Sequence, residues 1–235
     1  MIQFADLGWF HQIKAHAESR PDEEVCGVII HNPTTGGLTA IQVPNIAEDP
    51  RNRFKISPDV YIPLYTSSEV LAVYHSHTKD SPAQFSEADK AASEECEMPY
   101  LLFADGDMQA YVPSILKLAL YNRRFLPLVF DCLSLCEHYI EKRWKTPVTP
   151  VPRTLLTVND IPRNLLATIQ ERKLIRTDRP SNGAIAVIAT KGGLPDHAGI
   201  VVDGMLLHQL NHTGSREEPL HGWEKRILYY IQEPK

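Results

Sequence analysis

Apolar and polar positions alternate along this chain with two periods. Between residues 7 and 18, Leu7, Trp9, Phe10, Ile13 and Ala17 are available for one side of a helix, which predicts an amphipathic helix there. Strands are expected at about 25–31 and 38–43, separated by the turn chemistry of Asn32-Pro-Thr-Thr-Gly-Gly. Residues 45–57 predict a polar loop and 58–65 a short helix. The apolar run from Val70 to Tyr74 reads as a buried strand, followed by a helix from Ser86 to about Glu97 and strands near 99–104 and 108–112.

Residues 113–127 read as a connector, and 130–144 as a helix with Leu135, Tyr139 and Ile140 in its apolar stripe and Glu137 and Glu141 turned away. The segment 146–162 opens Thr-Pro-Val-Thr-Pro-Val-Pro and predicts an extended loop, with a second helix over 161–172. Strands are expected at 184–190, from His197, and from Met205, the last two joined as a hairpin through Asp203-Gly204. Residues 214–222 read as a polar loop and 225–232 as a final strand. Helices mixed with strands predict a layered α+β or α/β fold, and α+β is expected for the chain as a whole.

Charge divides this pattern in two. Residues 1–112 carry 7 Lys and Arg against 17 Asp and Glu, a net of −10, whereas residues 113–235 carry 17 against 12, a net of +5. Two domains are therefore expected, 1–112 and 113–235. The basic half has no dense Arg/Lys run interleaved with aromatics, which argues against nucleic acid as a partner; a mildly basic surface suits an anionic polymer such as cell wall. The N-terminus lacks the basic region and apolar core of a signal peptide, and no apolar run approaches the ~18 residues that span a bilayer. The four cysteines, at 26, 96, 132 and 136, make neither a disulfide framework nor zinc-finger spacing, so a reducing cytoplasm is expected.

The densest chemistry is His75-Ser-His77 at the end of the buried strand. Alternate side chains share a face of a strand, so the two imidazoles point the same way. Ser86-Glu-Ala-Asp89 opens the next helix, and a carboxylate in that first turn can swing back toward them. Two His nitrogens, one Asp oxygen and a free fourth position describe a catalytic zinc site. Ser86 with Asp89 also approximates a capping box, which starts helices with no metal involved. Upstream, Glu24 stands just before an apolar strand, suited to act as a general base. The combination E-V-C-G, H-S-H and S-x-x-D resembles the JAMM (MPN-type) metalloproteases over residues 1 to about 112. That resemblance implies an α/β sandwich with His75, His77 and Asp89 as zinc ligands, Glu24 as base and Ser86 as oxyanion stabiliser. The loop from Asn45 to Phe54 is also similar to one that precedes the metal strand in phage members of the family.

A second chemistry follows. Cys132 lies in the first turn of the 130–144 helix, where the helix dipole favours thiolate. His197 and His208 fall on paired strands within reach of each other, and a thiolate, a base and an orienting group are what an activated thiol needs. The structural alternative is a buried core cysteine and two surface histidines. The segments D-C-x-S-L, H-A-G-I-V-V-D-G and L-L-H resemble the NlpC-like cysteine peptidases over about 115–232. The resemblance implies a papain-like α+β domain with Cys132 as nucleophile, His197 as base and His208 orienting it. The two domains in this order resemble the tail-tip assembly proteins of lambda-like tailed phages. That implies a protein made in the host cytoplasm, partnered with other tail-tip proteins and with bacterial peptidoglycan, and it admits a place at the virion tail tip. A bacterial peptidase and an assembly scaffold with inactive sites remain as alternatives.

Overall fold

The computed structural model describes residues 7–32, 34–144, 175–190, 193, 196–211 and 213–232. The chain divides into two units, residues 2–117 and 118–235, each with its own sheet. In the first unit the elements are α1 (Gly8–Ser19), β1 (Cys26–His31), β2 (Leu38–Val43), α2 (Pro58–Ser67), β3 (Glu69–Ser76), α3 (Glu87–Cys96), β4 (Tyr100–Ala104), β5 (Asp107–Tyr111) and α4 (Ser114–Leu118). Its five-stranded sheet runs in the order β2-β1-β3-β4-β5. All pairs are antiparallel except β3 with β4, and α3 makes the crossover that a parallel pair requires.

The two faces of this sheet are covered differently. On one, α1 packs against β2 and β4 and buries Trp9, Phe10 and Ile13. Each such side chain contributes about 1.5–3 kcal/mol when fully buried. Tyr74 belongs to this face, its hydroxyl 3.0 Å from Nδ1 of His16 on α1. Gly27 pairs with Tyr74 across β1 and β3, and a Cβ at Gly27 would collide with the Ile41 carbonyl and the Tyr74 ring. The glycine of E-V-C-G is therefore fixed by close approach rather than by a turn. On the other face Val28, Ile30, Val70, Val73, Met98 and Tyr100 form a core with Phe54, Tyr61 and Phe85 packed against it. His75, one residue past Tyr74, alternates onto this second face.

The second unit holds α5 (Cys132–Trp144), β6 (Ile175–Thr177), β7 (Ile185–Ile188), β8 (His197–Val202), β9 (Met205–Leu210), β10 (Gly214–Pro219) and β11 (Ile227–Gln232). Among the described residues its sheet has six strands, antiparallel throughout, in the order β10-β9-β8-β7-β11-β6. α5 packs on β8 and β9, joining Leu135, Cys136 and Ile140 to Val187, Ile200 and Leu207. A smaller cluster contains Ala186, Val201, Leu206 and Tyr230 with Trp223 packed against it. The β8–β9 hairpin turns through Asp203 (φ 47°) and Gly204 (φ 82°), both left-handed as a two-residue type I′ turn requires.

Three expectations are corrected here. The polar loop expected over 214–222 is largely the strand β10, paired with β9 from Gly214 opposite Leu210 to Pro219 opposite Met205. As the edge strand it is held by backbone hydrogen bonds and exposes Arg216 and Glu217, so no apolar alternation marks it in the sequence. Glu137 is buried rather than turned to solvent, in a unit that also buries Arg123 and His138. The connector contains α4, whose Ser114 backbone N–H donates to both carboxylate oxygens of Glu94 at 3.0 Å. The loop and helix expected within 146–172 lie outside the described residues. The fold is mixed α+β.

Candidate functional site

In the first unit, β3 carries His75 and leads directly into His77, while Ser86 caps α3 and places Asp89 at its third helical position. One ligand atom from each of His75, His77 and Asp89 lies within 4.8 Å of the others. Asp89 Oδ2 is 3.6 Å from His75 Nε2 and 3.8 Å from His77 Nε2. The same oxygen accepts from the Ser86 backbone N–H at 2.9 Å and the Ser86 hydroxyl at 2.7 Å, while the Asp89 N–H donates to Ser86 Oγ at 3.1 Å. The capping box and the candidate ligand set are thus one construction: the bonds that start α3 also aim Asp89 at the imidazoles. Ser86 supports Asp89 in this arrangement, its hydroxyl proton directed at the carboxylate.

Neighbouring groups fix each ring. His77 Nδ1 donates to the Pro82 carbonyl at 2.6 Å, which leaves its Nε2 as a lone pair facing the cluster. His75 is fully buried and stacked on Phe54, centroids 4.5 Å apart and planes 19° apart, with Phe85 edge-on at a centroid distance of 5.8 Å. Phe54 is positioned by Asn45, whose amide donates to the Glu24 carbonyl (2.8 Å) and the Arg53 carbonyl (2.9 Å). The Asn45 side-chain oxygen accepts in turn from the Ala47 and Lys55 backbone N–H groups at 3.0 Å each. One asparagine therefore ties the 45–57 loop to Glu24, two residues before β1, and sets a ring against His75.

Electrostatics distinguish the carboxylates. Glu24 is buried, and burial pushes its pKa up to about 7 against the pull of His77, with Asp89 and Asp49 adding to the rise. Burial acts on Asp89 in the same direction, but the two imidazoles and Ser86 outweigh it and hold the carboxyl well below the usual range. Burial also works against a charged His77; Asp89, the Pro82 carbonyl and Glu24 prevail and raise its pKa. Burial lowers that of His75 despite Asp89. Glu24 Oε1 stands 3.9 Å from His77 Nε2.

The donor set fits a divalent metal. Both ring nitrogens of His75 are buried without a hydrogen-bond partner, and 3.6 Å to Asp89 is too long for one. A buried nitrogen in that condition is costly unless a further group satisfies it. Two imidazoles and one carboxylate are a common catalytic zinc set. A cavity of about 850 Å³ opens alongside, lined by Phe54, Tyr61, His77, Ser86, Asp89 and Tyr100 among others.

In the second unit Cys132 is the first residue of α5 and is partly exposed. Asp131 Oδ1 accepts from the Ser134 N–H at 2.8 Å, and Ser134 Oγ accepts from the Asp131 N–H at 2.9 Å. The spaced Asp and Ser of D-C-x-S thus cap the helix reciprocally around the cysteine. On the hairpin, His197 Nε2 and His208 Nδ1 meet at 2.9 Å. Burial, then the neighbouring His208, lowers the His197 pKa to about 4, so this imidazole is neutral near pH 7. Burial lowers that of His208 as well. Of the expected trio, the two histidines are in direct contact, and Asp131, next to Cys132, is among the charges that act on His197.

Residues 7–114 match the family model for prokaryotic homologs of the JAB domain. The first unit is thus similar to a JAB domain over nearly its whole length. Over 227 residues the whole chain is 26% identical to tail tip assembly protein K of Escherichia phage N15, covering 94% of this chain and 92% of that protein. A solution structure of protein DSY2949 from Desulfitobacterium hafniense aligns at 18% identity over 43% of this chain and 76% of its own, with a TM-score of 0.36. The NlpC/p60 domain of peptidoglycan hydrolase SagA aligns at 11% identity over 50% of this chain and 93% of its own, with a TM-score of 0.34.

Three supporting residues carry no signal of their own in the sequence. Within the first unit, Asn45 and Phe54 frame the loop that packs on His75, and only the similarity of that loop to phage relatives hinted at them. Outside it, Glu218 Oε2 stands 3.6 Å from His208 Nε2. It lies on the strand that reads as a loop, and no local pattern marks it.

Proposed function

We propose that this chain is a phage tail-tip assembly protein with two peptidase sites, a zinc site in the JAB-type domain and a thiol site in the second unit, both acting on peptides of bacterial peptidoglycan. The observation that carries the reading is the convergence of His75, His77 and Asp89 within 4.8 Å, with buried Glu24 beside them. His75, His77 and Asp89 Oδ2 hold the zinc in this reading. Zinc bound there supplies a Lewis acid and makes water a nucleophile near neutral pH. Glu24, buried and 3.9 Å from His77 Nε2, is poised to take a proton from water and return it to the departing amine. The adjoining cavity holds the peptide. Ser86 stabilises the oxyanion once its hydroxyl turns away from Asp89.

In the second unit Cys132 is the nucleophile, His197 the base and His208 its orienting neighbour. The capped N-terminus of α5, the 2.9 Å histidine contact and the sequence resemblance to NlpC-like peptidases support these roles. A neutral His197 fits a base that accepts the thiol proton. Similarity to tail tip assembly protein K supports other tail-tip proteins as partners, assembly in the host cytoplasm and association with the virion tail. The test is to incubate the purified chain with peptidoglycan and analyse released peptides by mass spectrometry. Products lost with chelator or His75→Ala, and a distinct set lost with Cys132→Ala, are expected. No release under any condition refutes the enzymatic reading and leaves an assembly scaffold.

A further inference from the structure

Strand β10 brings a third polar group to the histidine pair. His208 is fully buried; its Nδ1 meets His197 Nε2 at 2.9 Å, and its own Nε2 is buried with no hydrogen-bond partner. Leaving such a nitrogen unsatisfied costs its full desolvation. Glu218 Oε2 stands 3.6 Å away, a gap that a small rotation of the imidazole closes to a direct hydrogen bond. The carboxylate is held in place: Trp223 Nε1 donates to Oε2 at 3.0 Å and Arg216 Nε donates to Oε1 at 2.9 Å. The Trp223 indole also lies against both imidazoles, with centroids 4.7 Å from His208 and 5.8 Å from His197.

We infer that Glu218 is a positioning residue that sets the tautomers of both histidines. An ionised carboxylate only accepts, so His208 must carry its proton on Nε2 and present Nδ1 as a lone pair. His197 Nε2 must then be the donor in the 2.9 Å contact, which leaves His197 Nδ1 as the basic nitrogen. Without the carboxylate the pair can run in reverse, with His208 Nδ1–H donating to His197 Nε2. His197 then carries its proton on Nδ1 and has no free lone pair for a base. The catalytic consequence rests on the cysteine-peptidase reading: the thiol proton of Cys132 passes to His197 Nδ1, giving thiolate and imidazolium. The tautomer assignment itself does not depend on that reading.

The experiment uses the full chain, ¹⁵N-labelled, with long-range imidazole correlations recorded where both rings are neutral. Nε2–H tautomers are expected for both His197 and His208. In Glu218→Ala the His208 Nε2–H population should fall and an Nδ1–H form of His197 should appear. Trp223→Phe, which keeps the carboxylate but removes its indole donor, should shift the populations less. Wild-type His208 found as the Nδ1–H tautomer, or unchanged populations in Glu218→Ala, overturns the inference. Should Glu218→Ala not fold, the wild-type spectrum alone decides. Alkylation of Cys132 by iodoacetamide is read in parallel and should slow at least about tenfold in Glu218→Ala. A wild-type Cys132 that reacts no faster than an ordinary thiol would refute the cysteine-peptidase reading while leaving the tautomer result intact.

Discussion

Glu24→Gln in the metal-free protein gives the most direct measure of how the candidate zinc site is built. Glu24 is buried beside His77 and Asp89, and its pKa is about 7 against a reference of 4.5. Between those values the folded state holds a proton that the unfolded state releases. Folding stability contributed by this group therefore falls as pH rises from 4.5 to 7 and stays low above it. The cost of the ionised carboxylate at pH 8 is up to about 3 kcal/mol. Glutamine keeps the shape without the charge. The variant should match wild type near pH 4 and exceed it at pH 8, by on the order of 10 °C in the transition of this unit.

Differential scanning calorimetry of the chelated full chain resolves this, with the transition of the first unit identified by its response to added zinc. Zinc should erase most of the difference in wild type, because a cation beside Glu24 favours the charged form. A Glu24→Gln protein less stable than wild type at pH 8, or equal to it, would mean that Glu24 is ionised in the resting site at little cost. The placement of Glu24 as a carboxyl held near neutral pKa in the metal-free site would then fail with the electrostatic argument. The variant should also keep its zinc while losing hydrolysis, since it removes a proton acceptor and not a ligand.

Purified protein should hold about one zinc per chain, lost in His75→Ala and Asp89→Ala, as measured by atomic absorption. Phe54→Ala removes the ring stacked on His75 and should weaken zinc binding roughly tenfold, read by competition with a chromogenic chelator. Gly27→Ala places a Cβ against the Ile41 carbonyl and the Tyr74 ring and should cost roughly 1–3 kcal/mol in urea unfolding. Asp131→Ala removes the α5 cap and should cost about 1 kcal/mol in the same assay.

Most elements of the first unit were legible because their signals are local. The helix of Trp9, Phe10 and Ile13, the strand ending at His75 and the helix opened by Ser86 each announce themselves within a dozen residues. The proximity of His75 and His77 follows from strand alternation, and that of Asp89 from its place in a capped first turn. Asn45 carries no such signal. One of its four hydrogen bonds is local, to Ala47, but the other three reach Glu24, Arg53 and Lys55, partners separated along the chain and adjacent only after folding. Gly27 is similar: its need for a missing Cβ depends on Tyr74, which is remote in sequence.

The second unit shows where local reading stops. The hairpin at Asp203-Gly204 was legible because its turn demands residues that tolerate positive φ. β10 was not, because an edge strand needs only a partner's free backbone groups, and Gly-Ser-Arg-Glu-Glu-Pro satisfies that with no alternation of apolar side chains. The register that pairs Arg216 with His208 places alternate residues 216 and 218 on one side, and this is what brings Glu218 to the imidazole. Motif residues such as Cys132 and the two histidines can be picked out by type. A carboxylate that acts on them through a strand partner is defined only by pairing, so the residue hardest to find in the sequence lies on the strand hardest to predict.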